Sequence, residues 1–508
     1  MSASVRITNG RTVSLADIPV LEYWEFRSLI LESVAGGANL AALIPRRSEE
    51  ETLLFAVIVS PGEKELTLVQ ARVEDSFPSL TPEYPGAQAF EREIAEQWGI
   101  IPEGHPWLKP LRFEPPLSGK ANSALPHSFQ GGKRLPSVMD FFRVEGDEVH
   151  EVAVGPVHAG VIEPGHFRFQ CHGEKVMLLE ISLGYQHRGI EKMLLGGPAV
   201  NTRHLLETAA GDTTCGHALA YAMNIEALAG LEVAEEALRL RSVALELERI
   251  ANHTGDLGAM AGDVGYLPTS AYCGRLRGDI LNLTALLCGN RFGRGLIVPG
   301  GVGVQLTRNL ADLLLARLEA AMRDIRGALD LLFSAPSVLA RFEGTGALNR
   351  DTADRIGLVG PAARASGIET DVRLEQPFAA YRPGLFELVL GKHGDVMDRA
   401  RQRQEEIDVS AKLIEGWLQG LSGCEVMEEA PIPALQPNQI AVSLVEGWRG
   451  RICHVAVTGD DGRFSTYKVV DPSFHNWLGL ALALRGQQIS DFPLCNKSFN
   501  LSYCGHDL

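Results

Sequence analysis

Two Cys-x-His pairs stand out among the 508 residues: Cys215 with His217, and Cys504 with His506. Thiolate and imidazole are the donor types of a structural zinc site. One intervening residue is a short spacing for two side chains to reach one ion. The competing reading makes Cys215 and Cys504 small buried hydrophobes. The eight cysteines (Cys171, Cys215, Cys273, Cys288, Cys424, Cys453, Cys495 and Cys504) include no Cys-x-x-Cys spacing, so no iron–sulfur or zinc-ribbon signature is present. Three further histidines, His158, His166 and His187, have the chemistry to move or hold a proton near neutral pH, and Arg188, which follows the last, adds a fixed positive charge. A solitary histidine is ordinarily a hydrogen-bonded core or surface residue, so neighbouring sequence has to decide. Glu207 and Asp212 are two acids that either relay protons or start a helix whose dipole stabilises them. The glycine-rich run GNRFGRGLIVPGG from Gly289 lacks the Lys-Ser/Thr that grips phosphate and magnesium. It reads as a loop packed at a subunit interface.

Elements must position these groups. LLFAVIVS, Leu53 to Ser60, is predicted to be a buried strand that Pro61-Gly62 ends. From Phe113 to about Val149 the composition turns to Pro, Gly, Ser and Lys, as in a linker. Leu240, Val243, Ala244, Leu247, Ile250 and Ala251 fall at helical spacing, with Arg241, Glu246 and Glu248 expected on the opposite face. Ile407, Ala411, Ile414, Leu418 and Leu421 repeat the pattern, and both stretches are expected in a buried helical bundle. Ile440 to Val470 reads as β structure turning at Gly459-Asp460-Asp461-Gly462.

The length predicts two or three domains. Acids outnumber Lys plus Arg by 63 to 47, a net charge of -16. Such a chain repels nucleic-acid phosphates and anionic lipid headgroups, so no nucleic acid is expected and membrane association is expected through a partner. No apolar run is long enough for a direct membrane span. The first residues lack the apolar core of a signal peptide, so the chain is expected in the cytoplasm, where disulfides are rare.

Several segments carry a resemblance. FEREIAEQWGIIPEGHPWLKPLRF, Phe90 to Phe113, resembles the end of the 30-kDa-type subunit of complex I. GPVHAGVIEPGHFRF, Gly155 to Phe169, and GYQHRGIEKM, Gly184 to Met193, resemble the start of the 49-kDa-type subunit. Both are also close to the large subunits of formate-hydrogenlyase-type, membrane-bound nickel–iron hydrogenases. ELERIANHTGDLGAMAGDVGY, from Glu246, and GNRFGRGLIVPGGV, from Gly289, look more like that hydrogenase group. The stretch from Arg449 to Gly486 fits both.

The resemblance implies an α+β chain that fuses the two modules. A 30-kDa-like α/β domain would cover residues 1–115, a linker 116–150, and a mainly helical 49-kDa-like domain with β extensions 151–508. It implies a subunit of a membrane-associated oxidoreductase, NADH:quinone-oxidoreductase-like or hydrogenase-like, that couples electron transfer to ion translocation. The implied partners are a small iron–sulfur subunit holding a 4Fe-4S cluster and antiporter-like membrane subunits. The chain would sit on the inner face of the cell membrane. In hydrogenases of this kind two Cys-x-x-Cys pairs hold nickel and iron. Here Ala210 and Thr213, within ETAAGDTTCGH, and Ser502 and Gly505, within SFNLSYCGHDL, occupy those positions. Ala and Gly offer no donor, and hydroxyls suit a soft metal poorly. Hydrogenases of this type also carry a cleavable C-terminal tail; with Leu508 two residues after His506, none is expected here.

Complex I fills the same cavity with a quinone held by a His and a Tyr. These map to His166 and Gly211, leaving Tyr185 or Tyr221 as substitutes. The resemblance places His187 and Arg188 beside the partner's cluster, where they tune its potential and link electron to proton transfer. His158 joins them as a cofactor-binding candidate, and His166, Glu207 and Asp212 are the catalytic candidates. The segments bearing Cys215, His217, Cys504 and His506 meet at the old metal cavity in the family fold. A degenerate scaffold that only positions the iron–sulfur subunit is the non-enzymatic alternative.

Overall fold

The computed structural model describes residues 4–47, 51–114, 136, 139–158, 162–421 and 432–508. Most of the expected linker lies outside the described residues. The predicted strand is Thr52–Val59, buried from its second residue onward. It pairs antiparallel with Asn39–Arg47 and Glu65–Val73, and Val5–Thr8 adds to the far side of Glu65–Val73. An unbroken apolar run is what a strand covered on both faces requires. The helices Tyr23–Ala35 and Gln88–Trp98 belong to this N-terminal unit.

That unit is stitched into the rest of the chain. Arg11–Ser14 pairs with Gln439–Gly447 and forms the edge of a four-stranded sheet completed by Gly450–Thr458 and Phe464–Val470. The predicted turn at 459–462 joins the last two strands. Gly462 takes φ +72°, and a Cβ there would come within 2.5 Å of the Leu435 carbonyl, so only glycine fits without a shift.

The helical body centres on Glu235–Asp263, which packs against Leu267–Cys288 and Val396–Gln419. The two predicted helical stretches lie in the first and last of these. The expected polar face does not face water, however. Arg241, Glu246 and Glu248 are as buried as the leucines. Neighbouring elements supply a partner for each charge: Glu226 for Arg241, Arg373 for Glu246, and the Cys215 and Gly216 N–H groups for Glu248. The glycine-rich run also departs from expectation. Its second half forms the small hairpin Ile297–Val298/Gly301–Val302, buried within the chain, where Arg241 binds the Val298 and Gly301 carbonyls. Among the described residues no helix is long and apolar enough to cross a membrane.

Candidate functional site

The Gly184–Gly189 loop follows the strand Lys175–Ser182 and clamps the C-terminal segment. The Asp507 carboxylate accepts from the Gly184 and Gln186 N–H groups, each at 2.9 Å. The Leu508 carbonyl accepts from Arg188 N at 2.7 Å and Gly189 N at 3.0 Å. His187 Nδ1 donates to the Asp507 carbonyl at 2.6 Å, and its Nε2 abuts Glu114. Arg188 spends its guanidinium on the Thr208 and Ala209 carbonyls, at 2.7 and 2.8 Å. The structure thus brings the 184–189 loop, the 207–217 segment and the C-terminus together. His187 also lines a pocket of about 680 Å³ with Glu93, Glu191, Tyr467 and Lys468. Lys468 is ion-paired to Glu93 at 2.6 Å and to Glu191 at 3.0 Å.

His158 and His166 lie elsewhere. His158 Nε2 bonds the Gly165 carbonyl at 3.0 Å and holds its own loop closed. His166 opens the strand His166–His172, its Nδ1 3.3 Å from the Gly155 carbonyl and its ring 5.4 Å from Phe141. Its Nε2 is buried without a partner among the described residues, and burial lowers its pKa. Gly211 has open space where a side chain would start. Tyr221 packs with Ile225, Phe464 and Tyr467.

Glu207 is buried at the last residue of the helix Thr202–Glu207, where the dipole disfavours an acid. The helix-start reading is therefore wrong for it. Its carboxylate accepts from Gly295 N at 2.8 Å and faces Arg203 at 3.6 Å. Asp212 precedes the helix Thr214–Ala229 and is held by Arg449, with Nη2–Oδ2 at 2.8 Å. The same guanidinium reaches Thr213 Oγ1 at 3.2 Å.

The two Cys-x-His pairs do not converge. Cys215 Sγ faces the Phe292 carbonyl at 3.9 Å, and Cys504 Sγ faces Ser502 Oγ at 3.4 Å. His506 stacks on Phe474 and bonds Asp507 at 3.0 Å. His217 lies between His454, at 3.0 Å, and Asp471, at 3.1 Å. No group of three or more His, Cys, Asp or Glu among the described residues could hold a metal ion. Each donor already has a different neighbour, so the zinc expectation fails on geometry. Burial pushes both thiols up, Cys504 to about 11, as befits inert hydrophobes.

The positions expected to hold nickel are equally unsuited to it. Ala210 is fully buried and has no donor. Ser502 Oγ caps the C-terminal helix by accepting from Gly505 N at 2.9 Å. A Cβ on Gly505 would meet the Asp471 carboxylate at 2.7–3.0 Å. Sequence reasoning missed His454, Tyr467, Asp471 and Arg449. The available signals were a histidine inside the apolar strand run ICHVAV and an Asp-Pro opening a helix.

Comparison with known proteins fits this architecture. Residues 33–121 match the family described as the respiratory-chain NADH dehydrogenase 30 Kd subunit, and residues 263–440 match that of the 49 Kd subunit. The chain is 30% identical over 465 residues to formate hydrogenlyase subunit 5 of Escherichia coli, covering 88% of this chain and 80% of the relative. It is 30% identical to the carbon monoxide-induced hydrogenase of Rhodospirillum rubrum, covering 69% of this chain and 97% of that protein. It is also 30% identical to an NADH-quinone oxidoreductase subunit of Aquifex aeolicus, covering 80% of this chain and 75% of that one. In fold it is similar to a chain of the archaeal membrane-bound sulfane sulfur reductase, with a TM-score of 0.65 and 24% identity over 71% of this chain and 99% of that one. The chain therefore belongs to the family that unites the 30-kDa- and 49-kDa-type subunits of complex I with the large subunits of membrane-bound hydrogenases.

Proposed function

We propose that this chain is the catalytic-core subunit of a membrane-associated complex that couples electron transfer to ion translocation without a nickel–iron centre. The observation that carries this reading is the pairing of a family fold with four positions that lack a thiolate. The fold is that of electron-transferring complexes. Ala210, Thr213, Ser502 and Gly505 offer no thiolate, and their surroundings leave no room for one at Gly505.

The partner is a small iron–sulfur subunit with a 4Fe-4S cluster, docked against the His187–Arg188 loop. Met193, Leu195 and Val200 follow that loop and are 51%, 46% and 98% exposed, apolar surface that a permanent interface would cover. Antiporter-like subunits supply the membrane part, and the chain lies peripherally on the inner, cytoplasmic face. His166, Glu207 and Asp212 are the proton-handling candidates; His158 acts by shaping the loop that carries His166.

A quinone is the second reading, and a specific observation favours it: His166 gives its Nδ1 proton to the Gly155 carbonyl, so its buried, unpartnered Nε2 would accept from the hydroxyl of the reduced quinol. Purification of the complex from its native host tests the whole reading. The expected result is an iron–sulfur subunit in stoichiometric amount, no nickel by elemental analysis, and no hydrogen uptake or evolution. One nickel per chain, or a monomer without partners, would overturn it. Quinone-reductase activity of the intact complex separates a catalytic subunit from a scaffold.

A further inference from the structure

A continuous hydrogen-bonded chain crosses the core. Tyr467 Oη lies 3.0 Å from His454 Nδ1; His454 Nε2 lies 3.0 Å from His217 Nδ1; His217 Nε2 lies 3.1 Å from Asp471 Oδ2. Each link comes from a different element: the strand Phe464–Val470, the strand Gly450–Thr458, the helix Thr214–Ala229, and the residue that caps the helix Pro472–Ala483. Tyr467, His454, His217 and Asp471 are all buried. A purely structural histidine needs one partner per nitrogen, but nothing structural requires those partners to be further proton carriers.

The direction of the bonds follows by elimination. Burial opposes charge on Asp471, but His217 and Arg449 more than offset it, and the carboxyl titrates below its ordinary range. An ionised Asp471 only accepts, so His217 Nε2 donates, and in the neutral form of that ring Nδ1 accepts. His454 Nε2 then donates and its Nδ1 accepts from the Tyr467 hydroxyl. Burial holds His454 well below its usual range.

The ends open onto the two sides of the site. At the tyrosine end, Tyr221 Oη and Asn224 Oδ1 are buried polar atoms without a partner among the described residues, and both side chains interact with Tyr467. Tyr467 also lines the pocket that contains His187. At the other end Asp471 packs against the backbone at Gly505 and faces Arg449, the partner of Asp212.

We propose that Tyr467, His454, His217 and Asp471 form a proton relay between the His187 pocket and the C-terminal segment at Gly505. A proton arriving from water on the Tyr467 oxygen displaces the hydroxyl proton to His454 Nδ1. The Nε2 proton of His454 passes to His217 Nδ1, and that of His217 Nε2 passes to the Asp471 carboxylate. One O–H or N–H bond breaks for each that forms, no electrons move, and both imidazoles change tautomer. In the second state Tyr467 donates to Tyr221 or Asn224, which accounts for their open acceptors. A pass from Asp471 back to Tyr467 restores the first state. The relay's geometry is independent of the proposed function; only its destination, the redox site, rests on that reading.

The test uses the complete complex with histidine 15N-labelled in this chain alone, followed by solid-state NMR in deuterated water. Resonances of the two rings among 14 histidines are identified from His217→Gln and His454→Gln samples. Passes in the two directions exchange the ring N–H protons with water at both ends. Tyr467→Phe, which removes only the terminal hydroxyl, is expected to slow exchange at His217 and His454 at least tenfold while core amide exchange is unchanged. Unchanged or faster ring exchange would overturn the relay, and slowing of amides and rings together would show a packing effect instead. In a second arm, Tyr467→Phe is expected to slow turnover at least fivefold while dithionite reduces the complex's iron–sulfur centre at the wild-type rate. A wild-type complex without that centre would sink the proposed function and leave the exchange result to judge the relay alone.

Discussion

Replacing Arg373 with methionine is the sharpest test of how the helical body is held. Three guanidinium groups, Arg249, Arg364 and Arg373, are buried with four carboxyl groups, Glu246, Asp371, Glu406 and Glu446. Arg373 bonds Asp371 at 2.6 Å and Glu246 at 3.1 Å. Burial pushes the Glu246 carboxyl up, but Arg249 and Arg373 outweigh it and hold the group at about 2. Glu446 moves the other way, raised by burial and by Asp371. Arg373→Met leaves the four carboxyl groups facing two guanidiniums. Breaking a buried pair from one side costs about 3–5 kcal/mol. With unfolding entropy near 2.1 cal/mol/K per residue, that is a fall of roughly 3–5 °C in Tm for a chain of this length. Glu246→Gln should cost about half as much, because the amide keeps an oxygen that accepts from Arg373 and Tyr381. A folded pKa below the unfolded one means Glu246 contributes fully above about pH 4.3 and loses its contribution as pH falls toward 2. Arg373→Met should therefore also unfold at higher pH on acidification. Scanning fluorimetry of the purified complex across pH reads both effects. A Tm change under 1 °C for Arg373→Met, or a larger fall for Glu246→Gln, would refute the argument.

Glu248 is raised to about 8 by burial, despite the N–H groups it accepts from, so the folded chain binds its proton more tightly than the unfolded chain. Stability should fall as pH rises from about 4.3 through 8, and Glu248→Gln should flatten that slope, which urea titrations at pH 6 and pH 9 would show. The double variant Met193→Asp, Val200→Asp should abolish co-purification of the iron–sulfur subunit while shifting the chain's own stability by no more than about 0.5 kcal/mol per site. Retention of the partner would place the interface elsewhere.

The elements were legible where one period ruled. Leu53 to Ser60 has no polar residue before its terminal serine, and the structure makes it a strand within one residue of the expected bounds. The helices around Leu240–Ala251 and Ile407–Leu421 follow the apolar spacing, though the second ends at Gln419. The reading failed where it assumed that charge points outward. Arg241, Glu246 and Glu248 are polar in the sequence and buried in the fold, because their partners lie up to 164 residues away, beyond the reach of any local window. The candidate site divides the same way. The motif residues His187 and Arg188 could be picked out because they are contiguous. His454 and Asp471 could not, since each gains its meaning only from His217, more than 230 residues earlier.

The packing at Gly505 ties the C-terminal segment to the Asp471–His217 pair. Asp471 reaches His217 with its carboxylate pressed against the backbone at Gly505. A cysteine at that position would set its Cβ 2.7 Å from the carboxylate carbon, well inside contact distance, so the acid would have to withdraw. Withdrawal would leave His217 Nε2 a buried donor without an acceptor and Arg449 with less opposing charge, a penalty of about 1–3 kcal/mol for the unmet donor alone. Glycine at 505 avoids that cost, and Ser502 uses its hydroxyl on the Gly505 N–H and so holds the glycine backbone close to Asp471. Alanine at 210 and threonine at 213 fit the same arrangement, the first filling space and the second giving Arg449 a further acceptor beside Asp212. Ala210, Thr213, Ser502 and Gly505 thus all fit one arrangement, in which the Asp471 carboxylate lies between His217 and the Gly505 backbone.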